Sequence, residues 1–426
     1  MMLSNLDVWT CFAWLLAGTW GLVITMFVRA CRHRAVLHPL TRPVSAEDQH
    51  LPRLSVVVAA RNEAACIETC LRSLLKQDYP QLEVVAVNDR STDATAKILD
   101  RLAVEFADRL KVVHVAVLPG GWFGKPHALT QGVKVASGQL LCFTDADCEF
   151  LSPSTLRTTI VEQQQHDFDF FTVAARYSMD TAREAAVVPC CSEAILMWLR
   201  PERVGDPRTP DVFANGAFIL VKREAFDRIG GWEAVRSQIS EDLQIARQAK
   251  VAGLRVGVAQ GPGLYVTRSY GTLRESWNGW SRIFNGSLTP RQLGISLVRM
   301  LVLFALPLAV TGWNLMTAIE TGSLEPLTHG AGLALALAVG MRTLLDIAMF
   351  SLVGSPLPAF VLAPLARLFV MAAMTRALLS HAGLVNTHWR GATFNAGQLV
   401  MPRLASIDSR IPETRGVPAV VPNATA

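Results

Sequence analysis

Two aspartates one residue apart, Asp145 and Asp147, close the run Leu-Leu-Cys-Phe-Thr-Asp-Ala-Asp-Cys at 140–148. Carboxylates that close repel each other, and a divalent cation between them offsets the cost. The apolar residues ahead of them, 140–143, read as a strand buried on both faces of a parallel sheet. The acids then fall at its C-terminal end, where open α/β sheets hold ligands. Taken alone, the pair could equally cap a turn or a helix. A third acid, Asp242 in Ser240-Glu241-Asp242, opens a helix expected over 243–252. Ser240 can cap that helix, and acids in its first turn suit its dipole. Asp242 has a further reading, as a carboxylate placed to take a proton from an attacking hydroxyl.

The elements that must position these residues alternate. Strands are expected at 54–60, 82–87, 111–117 and 140–143, with helices at 63–76, 92–106 and 125–136. That alternation implies right-handed βαβ units and a mostly parallel sheet, hence an α/β fold. A helix at 153–165, a strand at 168–174, a helix at 181–199 and a strand at 218–221 follow. Pro189 should kink or split the helix at 181–199. The small residues of Phe213-Ala214-Asn215-Gly216-Ala217 allow either close approach of a substrate or a tight bend.

The loops after the strands carry Ala60-Arg61-Asn62-Glu63, then Asn88-Asp89-Arg90, then Gly120-Gly121-Trp122-Phe123-Gly124-Lys125. The topology gathers them at one sheet edge with Asp145 and Asp147, where a nucleotide would lie with its phosphates near helix starts. Each has a plainer role as well. Asp89 could cap the helix near Thr92, Lys125 could be solvated, and the glycines could only make turns. Their joint placement at one edge is what favours a site.

The chain of 426 residues is 51% hydrophobic, and its mean hydropathy of +0.30 directs attention to membrane segments. Residues 8–28 are long enough to cross a bilayer and are followed by Arg29, Arg32, His33 and Arg34. Positive charge behind the apolar run marks an uncleaved anchor with its N-terminus outside and the next domain inside. Further spans are expected at 297–319, 330–353 and 357–379, and Arg342, Asp346, Arg367 and Arg376 in them should face other helices or water. Four crossings put the tail outside, whereas Arg390, Arg403, Arg410 and Arg415 favour the inside. The segment 271–286 is amphipathic, and its Trp277, Trp280, Arg282 and Phe284 suit either a membrane interface with an acceptor entrance or core packing. A net charge of +5 gives no nucleic-acid signal. The 8 cysteines have no metal or disulfide spacing and fit a reducing compartment.

From Leu54 to Gly286 the chain resembles a membrane-bound family 2 glycosyltransferase of the GT-A fold. Asn88-Asp89 is similar to that fold's nucleotide-binding acid, Asp145-Ala146-Asp147 to its metal-binding DXD, and Ser240-Glu241-Asp242 to its ED motif, whose Asp is the catalytic base. Trp122-Phe123-Gly124-Lys125 and Trp389-Arg390-Gly391 resemble a narrower group of ceramide glucosyltransferase-like, hopanoid-associated and carotenoid glycosyltransferases. Processive cellulose- and hyaluronan-type synthases carry Gln-x-x-Arg-Trp after the ED motif, and here Asn278-Gly279-Trp280-Ser281-Arg282 stands in its place.

The resemblance implies inverting transfer from a nucleotide sugar, a UDP-sugar, to a ceramide-, hopanoid- or carotenoid-like membrane lipid. It implies Mg2+ or Mn2+ on Asp145 and Asp147. Ala60, Arg61, Glu63, Asp89, Lys125 and Asp145 would surround the nucleotide sugar, with Asp242 as base and Glu241, Trp280 and Arg282 toward the acceptor. The expected organisation is an anchor (1–30), a linker (31–53), a GT-A domain (54–270), an amphipathic interface segment (271–296), transmembrane helices (297–382) and a tail (383–426). The expected location is the inner (plasma) membrane, multi-pass, with the catalytic domain cytoplasmic. Two rivals are a processive polysaccharide synthase and a non-catalytic membrane scaffold that binds a nucleotide.

Overall fold

A computed structural model of the chain describes residues 8–45, 47–174, 176–328, 330–389, 392–395 and 398–399. Helix α1 (Val8–His33) leads through an extended stretch to the α/β body. There β1 (Leu54–Ala60), α2 (Ile67–Leu75), β2 (Leu82–Asp89), α3 (Thr95–Glu105), β3 (Leu110–Val115), α4 (Gly124–Val135) and β4 (Leu140–Asp145) alternate as expected. The second half adds β5 (Cys148–Phe150), α5 (Thr155–Gln165), β6 (Phe170–Ala174), β7 (Arg176–Ser178) and α6 (Ala182–Leu199). It continues with β8 (Ile219–Lys222), α7 (Arg223–Arg228), α8 (Glu241–Val251), β9 (Val256–Gln260) and β10 (Tyr265–Arg268).

Seven strands make one sheet in the order β3-β2-β1-β4-β8-β6-β9. β1 is parallel to β2 and β4, β2 to β3, and β6 to β9, while β8 runs antiparallel to both its neighbours. The mostly parallel sheet is buried on both faces, which is why its strands read as continuous apolar runs. Leu71 of α2, Leu99 of α3 and Ile160 of α5 cover one face, and Leu129 of α4, Phe226 of α7 and Ile245 of α8 cover the other. Register then fixes the functional edge. Ala60 pairs with Asn88, and Ala59 pairs with Asp145, so the loops after β1, β2 and β4 leave the sheet side by side.

Several expectations change in three dimensions. α2 begins at Ile67 rather than 63, because Glu63 closes a turn by accepting from the Cys66 N–H. α3 begins at Thr95, and Asp93 rather than Asp89 accepts from its first N–H, at 2.9 Å. Pro189 does not split α6. It removes the amide that would bond the Ala185 carbonyl, and the Ser355 hydroxyl donates to that carbonyl instead, at 2.7 Å. Ser240 makes no side-chain cap at the start of α8. The expected linker is also fastened down: the fully buried Arg157 donates to the carbonyls of Arg42 and Pro43 and pairs with Asp48 and Asp78. Just before it, Leu37 N–H donates to the Gln260 carbonyl beside β9, so α1 is anchored to the sheet.

The C-terminal half is helical: α9 (Leu273–Ser287), α10 (Pro290–Met300), α11 (Leu306–Thr321), the short α12 (Glu325–Thr328), α13 (Gly330–Val353) and α14 (Ala363–His381). Among the described residues, four helical stretches are long and apolar enough to cross a membrane: Thr10–His33, Pro290–Thr321, Gly330–Val353 and Leu357–His381. A hairpin of β11 (Thr387–Trp389), β12 (Ala392–Asn395) and β13 (Gln398–Leu399) follows. Arg390, Gly391, Arg403, Arg410, Arg415 and the stretch after Gly416 lie outside the described residues.

α9 starts with a Thr272–Glu275 capping box and turns its aromatics into protein. Trp280 and Phe284 pack against α6 and α14, and Asn285 is buried with its amide on Ser380. Of the two readings of this segment, packing holds for Trp280, which is 4% exposed.

The charges in the spans also face protein. Arg342 of α13 forms a two-pronged pair with Glu193 of α6 and bonds Asp346, which also pairs with Arg367 of α14. Removing one member of such a buried network leaves a charge uncompensated. Arg342→Leu is therefore expected to cost about 3–5 kcal/mol, read as a lowered Tm of the detergent-solubilised protein. An unchanged Tm would mean the network contributes nothing.

Candidate active site

One cleft of about 2170 Å³ opens at the sheet edge and is lined by the expected loops. Lys125, in the first turn of α4, is its electrostatic centre. Its Nζ lies 2.6 Å from Asp145 Oδ1 and 3.1 Å from Glu241 Oε1. Burial works against its charge, but Asp145, then Glu241 and Asp242, outweigh burial and raise its pKa above the ordinary lysine range. The cation thus bridges the Asp-x-Asp strand end to the start of α8, two segments almost a hundred residues apart in sequence.

Asp242 is held by two backbone amides. The Gly216 N–H donates to Oδ2 at 3.0 Å and the Leu243 N–H to Oδ1 at 2.8 Å. Burial first, then the neighbouring Glu241 carboxylate, push its pKa up to about 6, against the pull of Lys125 and Arg282. A carboxyl tuned this way is ionised at neutral pH yet basic enough to accept a proton. Gly216 favours this approach, because a Cβ there would sit 3.0 Å from both Asp242 Oδ2 and Lys125 Nζ, closer than most Cβ contacts. The small residues of this segment thus admit the Asp242 carboxylate.

Asp147 sits beyond β4, where its carbonyl accepts from the Arg268 N–H and Thr267 Oγ1 lies 3.4 Å from its Oδ1. Asp145 and Asp147 both line the cleft. Among the described residues, no group of three or more His, Cys, Asp or Glu side chains could hold a metal alone. Two carboxylates facing a cleft nevertheless fit Mg2+ or Mn2+, which take few protein ligands and complete their shell with substrate phosphates and water.

The loops after β1 and β2 are tied to each other. Asn62 Oδ1 accepts from the Thr92 N–H, the Glu63 N–H donates to Thr95 Oγ1, and the Ala64 N–H donates to Asp93 Oδ2. Asp89 pairs with Arg90 at 2.7 Å and lies against the start of α4, where a Cβ on Gly124 would fall 2.5 Å from its Oδ2. Ala60, Arg61, Glu63 and Asp89 all line the cleft, as do Trp280 and Arg282. With Lys125, Asp145, Asp147, Glu241 and Asp242 these residues line one cavity, whereas Asn88, Trp277 and Phe284 are not in its lining. The sequence reading missed Arg268 and Tyr270, which line it from β10 and the turn before α9. Neither stands in a motif, so spacing alone carried no signal for them.

Residues 55–230 match the family Glycosyl transferase family 2, and residues 204–378 match Glycosyl transferase family group 2. The chain is 27% identical over 288 residues to a beta-monoglucosyldiacylglycerol synthase of Trichormus variabilis, covering 63% of this chain and 59% of that protein. It is 25% identical over 228 residues to a 4,4'-diaponeurosporenoate glycosyltransferase of Staphylococcus aureus, covering 53% of this chain and 59% of that one. The chain thus spans less than two thirds of the length of these curated relatives. The mannosyltransferase PcManGT from Pyrobaculum calidifontis, solved in complex with GDP-Man and Mn2+, aligns over 88% of this chain and 98% of its own, with 21% identity and a TM-score of 0.49. The two matches overlap and together run from residue 55 to residue 378, so the chain carries glycosyl transferase family 2 domains, built on a mostly parallel sheet.

Proposed function

We propose that this protein transfers a sugar from a nucleoside-diphosphate sugar, a UDP-sugar, to a hydroxyl of a membrane lipid, with inversion at the sugar carbon. The gathering of Asp145, Asp147, Asp242 and Lys125 in one cleft is the observation that carries this reading. The acceptor oxygen bonds to the anomeric carbon as the bond from that carbon to the diphosphate oxygen breaks. Asp242 takes the hydroxyl proton, and the nucleoside diphosphate leaves. Lys125 places a permanent positive charge beside Asp145, where the leaving diphosphate gains negative charge. Asp145 and Asp147 would hold Mg2+ or Mn2+, which neutralises the departing diphosphate. Arg61, Glu63 and Asp89 form the wall for base and ribose.

The names of the relatives, one acting on diacylglycerol and one on a carotenoid acid, support a lipid acceptor. The four candidate spans support a multi-pass protein, and the basic cluster after α1 supports a cytoplasmic catalytic body at the inner membrane. Lipid extracts of cells making the wild-type chain, compared by mass spectrometry with cells making Asp242→Asn, are expected to show a lipid heavier by one hexose only in the former. Identical extracts, with the wild-type protein folded and binding UDP, would exclude lipid glycosylation.

A further inference from the structure

The cleft is larger than its donor needs. Pockets that enclose a small ligand usually measure about 300–1,000 Å³, against about 2170 Å³ here. The cleft's lining extends as an arm from the sheet edge onto three helices. On α6 it is lined by Ser192, Ile195, Leu196 and Leu199, spaced three and four residues apart on one helical face. On α13 the lining is Ala348, Ser351 and Leu352, again one face, and on α1 it is Phe27 and Cys31. Nearer the start of α1, Ala13 and Leu16 pack closed against Ala334 and Leu335, so the space belongs to the ends of α1 and α13 next to the α/β body. Among the described residues α1, α6 and α13 supply no charged lining residue, and Arg34, which also lines the cleft, follows the last residue of α1.

We propose that this arm is the seat of the acceptor's hydrocarbon, so that α1, α6 and α13 select the lipid while Asp242 acts on its hydroxyl. The inference rests on the transfer reading above. Its occupant is a neutral lipid alcohol with a long apolar chain. Helical walls with no charged side chain and a few hydroxyls cover methylenes well, and the charged lining residues Arg34 and Arg176 lie outside α1, α6 and α13. α1 and α13 are themselves candidate spans, so a lipid reaches the arm from the bilayer without crossing water. Continuity with the cleft brings the head of that lipid to the sheet edge where Lys125 and Asp242 lie. α6, held to α13 and α14 by the Glu193–Arg342–Asp346–Arg367 network, is a rigid wall for it.

Two measurements test this on the full-length protein in phosphatidylcholine vesicles. A diacylglycerol bearing a diazirine midway along one acyl chain is expected to label peptides 188–199 and 348–353 on irradiation, with labelling lost in excess dioleoylglycerol. Labelling that does not compete, or that falls only on lipid-facing residues such as Leu337 and Leu344, would overturn the arm. Ser192→Trp should fill the arm. It is expected to lower kcat/KM for the lipid extract of the host membrane at least tenfold and leave the donor KM and UDP binding unchanged. A variant with wild-type kcat/KM for lipid would likewise overturn it. If the wild type transfers no sugar to any extracted lipid, the proposed function fails instead, while the photolabelling still judges the arm by itself.

Discussion

Asp242→Asn is expected to lower kcat by about 100- to 10,000-fold, the usual worth of a positioned general base, and to leave donor binding intact. The amide keeps the shape, and its single oxygen can still accept from one of the Gly216 and Leu243 N–H groups that now bond the two carboxylate oxygens, so the fold and the cleft should persist. What it loses is the lone pair that takes the acceptor proton. The same residue sets the pH profile. A base must be ionised, and burial together with Glu241 holds Asp242 up to about 6. Log kcat/KM should therefore be flat at neutral pH and fall on acidification through that value, approaching a slope of one. In Asp242→Asn the residual rate should lose that inflection. A variant that keeps turnover, or a wild-type profile with no acidic limb near 6, would remove Asp242 from the role of base.

Neutralising the strand-end acids should have the second-largest effect. Asp145→Asn and Asp147→Asn are each expected to lower kcat by about 100- to 1,000-fold, the scale seen when one preorganised stabiliser of a developing charge is removed. Chelation of divalent metal should do the same to the wild type, with recovery on adding Mn2+ or Mg2+. The two variants should separate in a second readout. Asp145 is also an ion-pair partner of Lys125, so Asp145→Asn leaves the ammonium with Glu241 as its remaining pair and should raise the metal-independent affinity for UDP. Asp147 lies beyond the strand end, with Thr267 Oγ1 3.4 Å from its Oδ1. Its replacement should weaken UDP binding only when metal is present. Full activity in excess chelator would mean that the pair is structural.

Much of this architecture was legible from local patterns. Strands buried on both faces are mostly apolar, so β1, β2 and β4 announced themselves as LSVVVAA, LEVVAV and LLCF, and with them a parallel sheet, the polar Ser55 and Glu83 bonding each other. Acids directly after such a run must lie at its carboxyl end, which placed Asp145 and Asp147 without any knowledge of the partner strands. Spans are equally local, since bilayer thickness sets a length that composition reveals. Element ends were less legible. Glu63, Asp93 and Ser240 each have the right chemistry for a helix start, and which side chain serves is decided by the loop lying beside it.

Composition, spacing and the family resemblance determined the fold class, the order of the motifs and the sheet edge where they meet. The tertiary structure alone decided how they meet: Lys125 between Asp145 and Glu241, Gly216 under Asp242, Ser355 mending α6 at Pro189, and Trp280 turned into protein rather than lipid. Each of these joins residues far apart in the chain, through register and helix packing. A local pattern records how a residue meets its neighbours in sequence. It does not record the partner that sheet order and crossing angle bring against it from elsewhere.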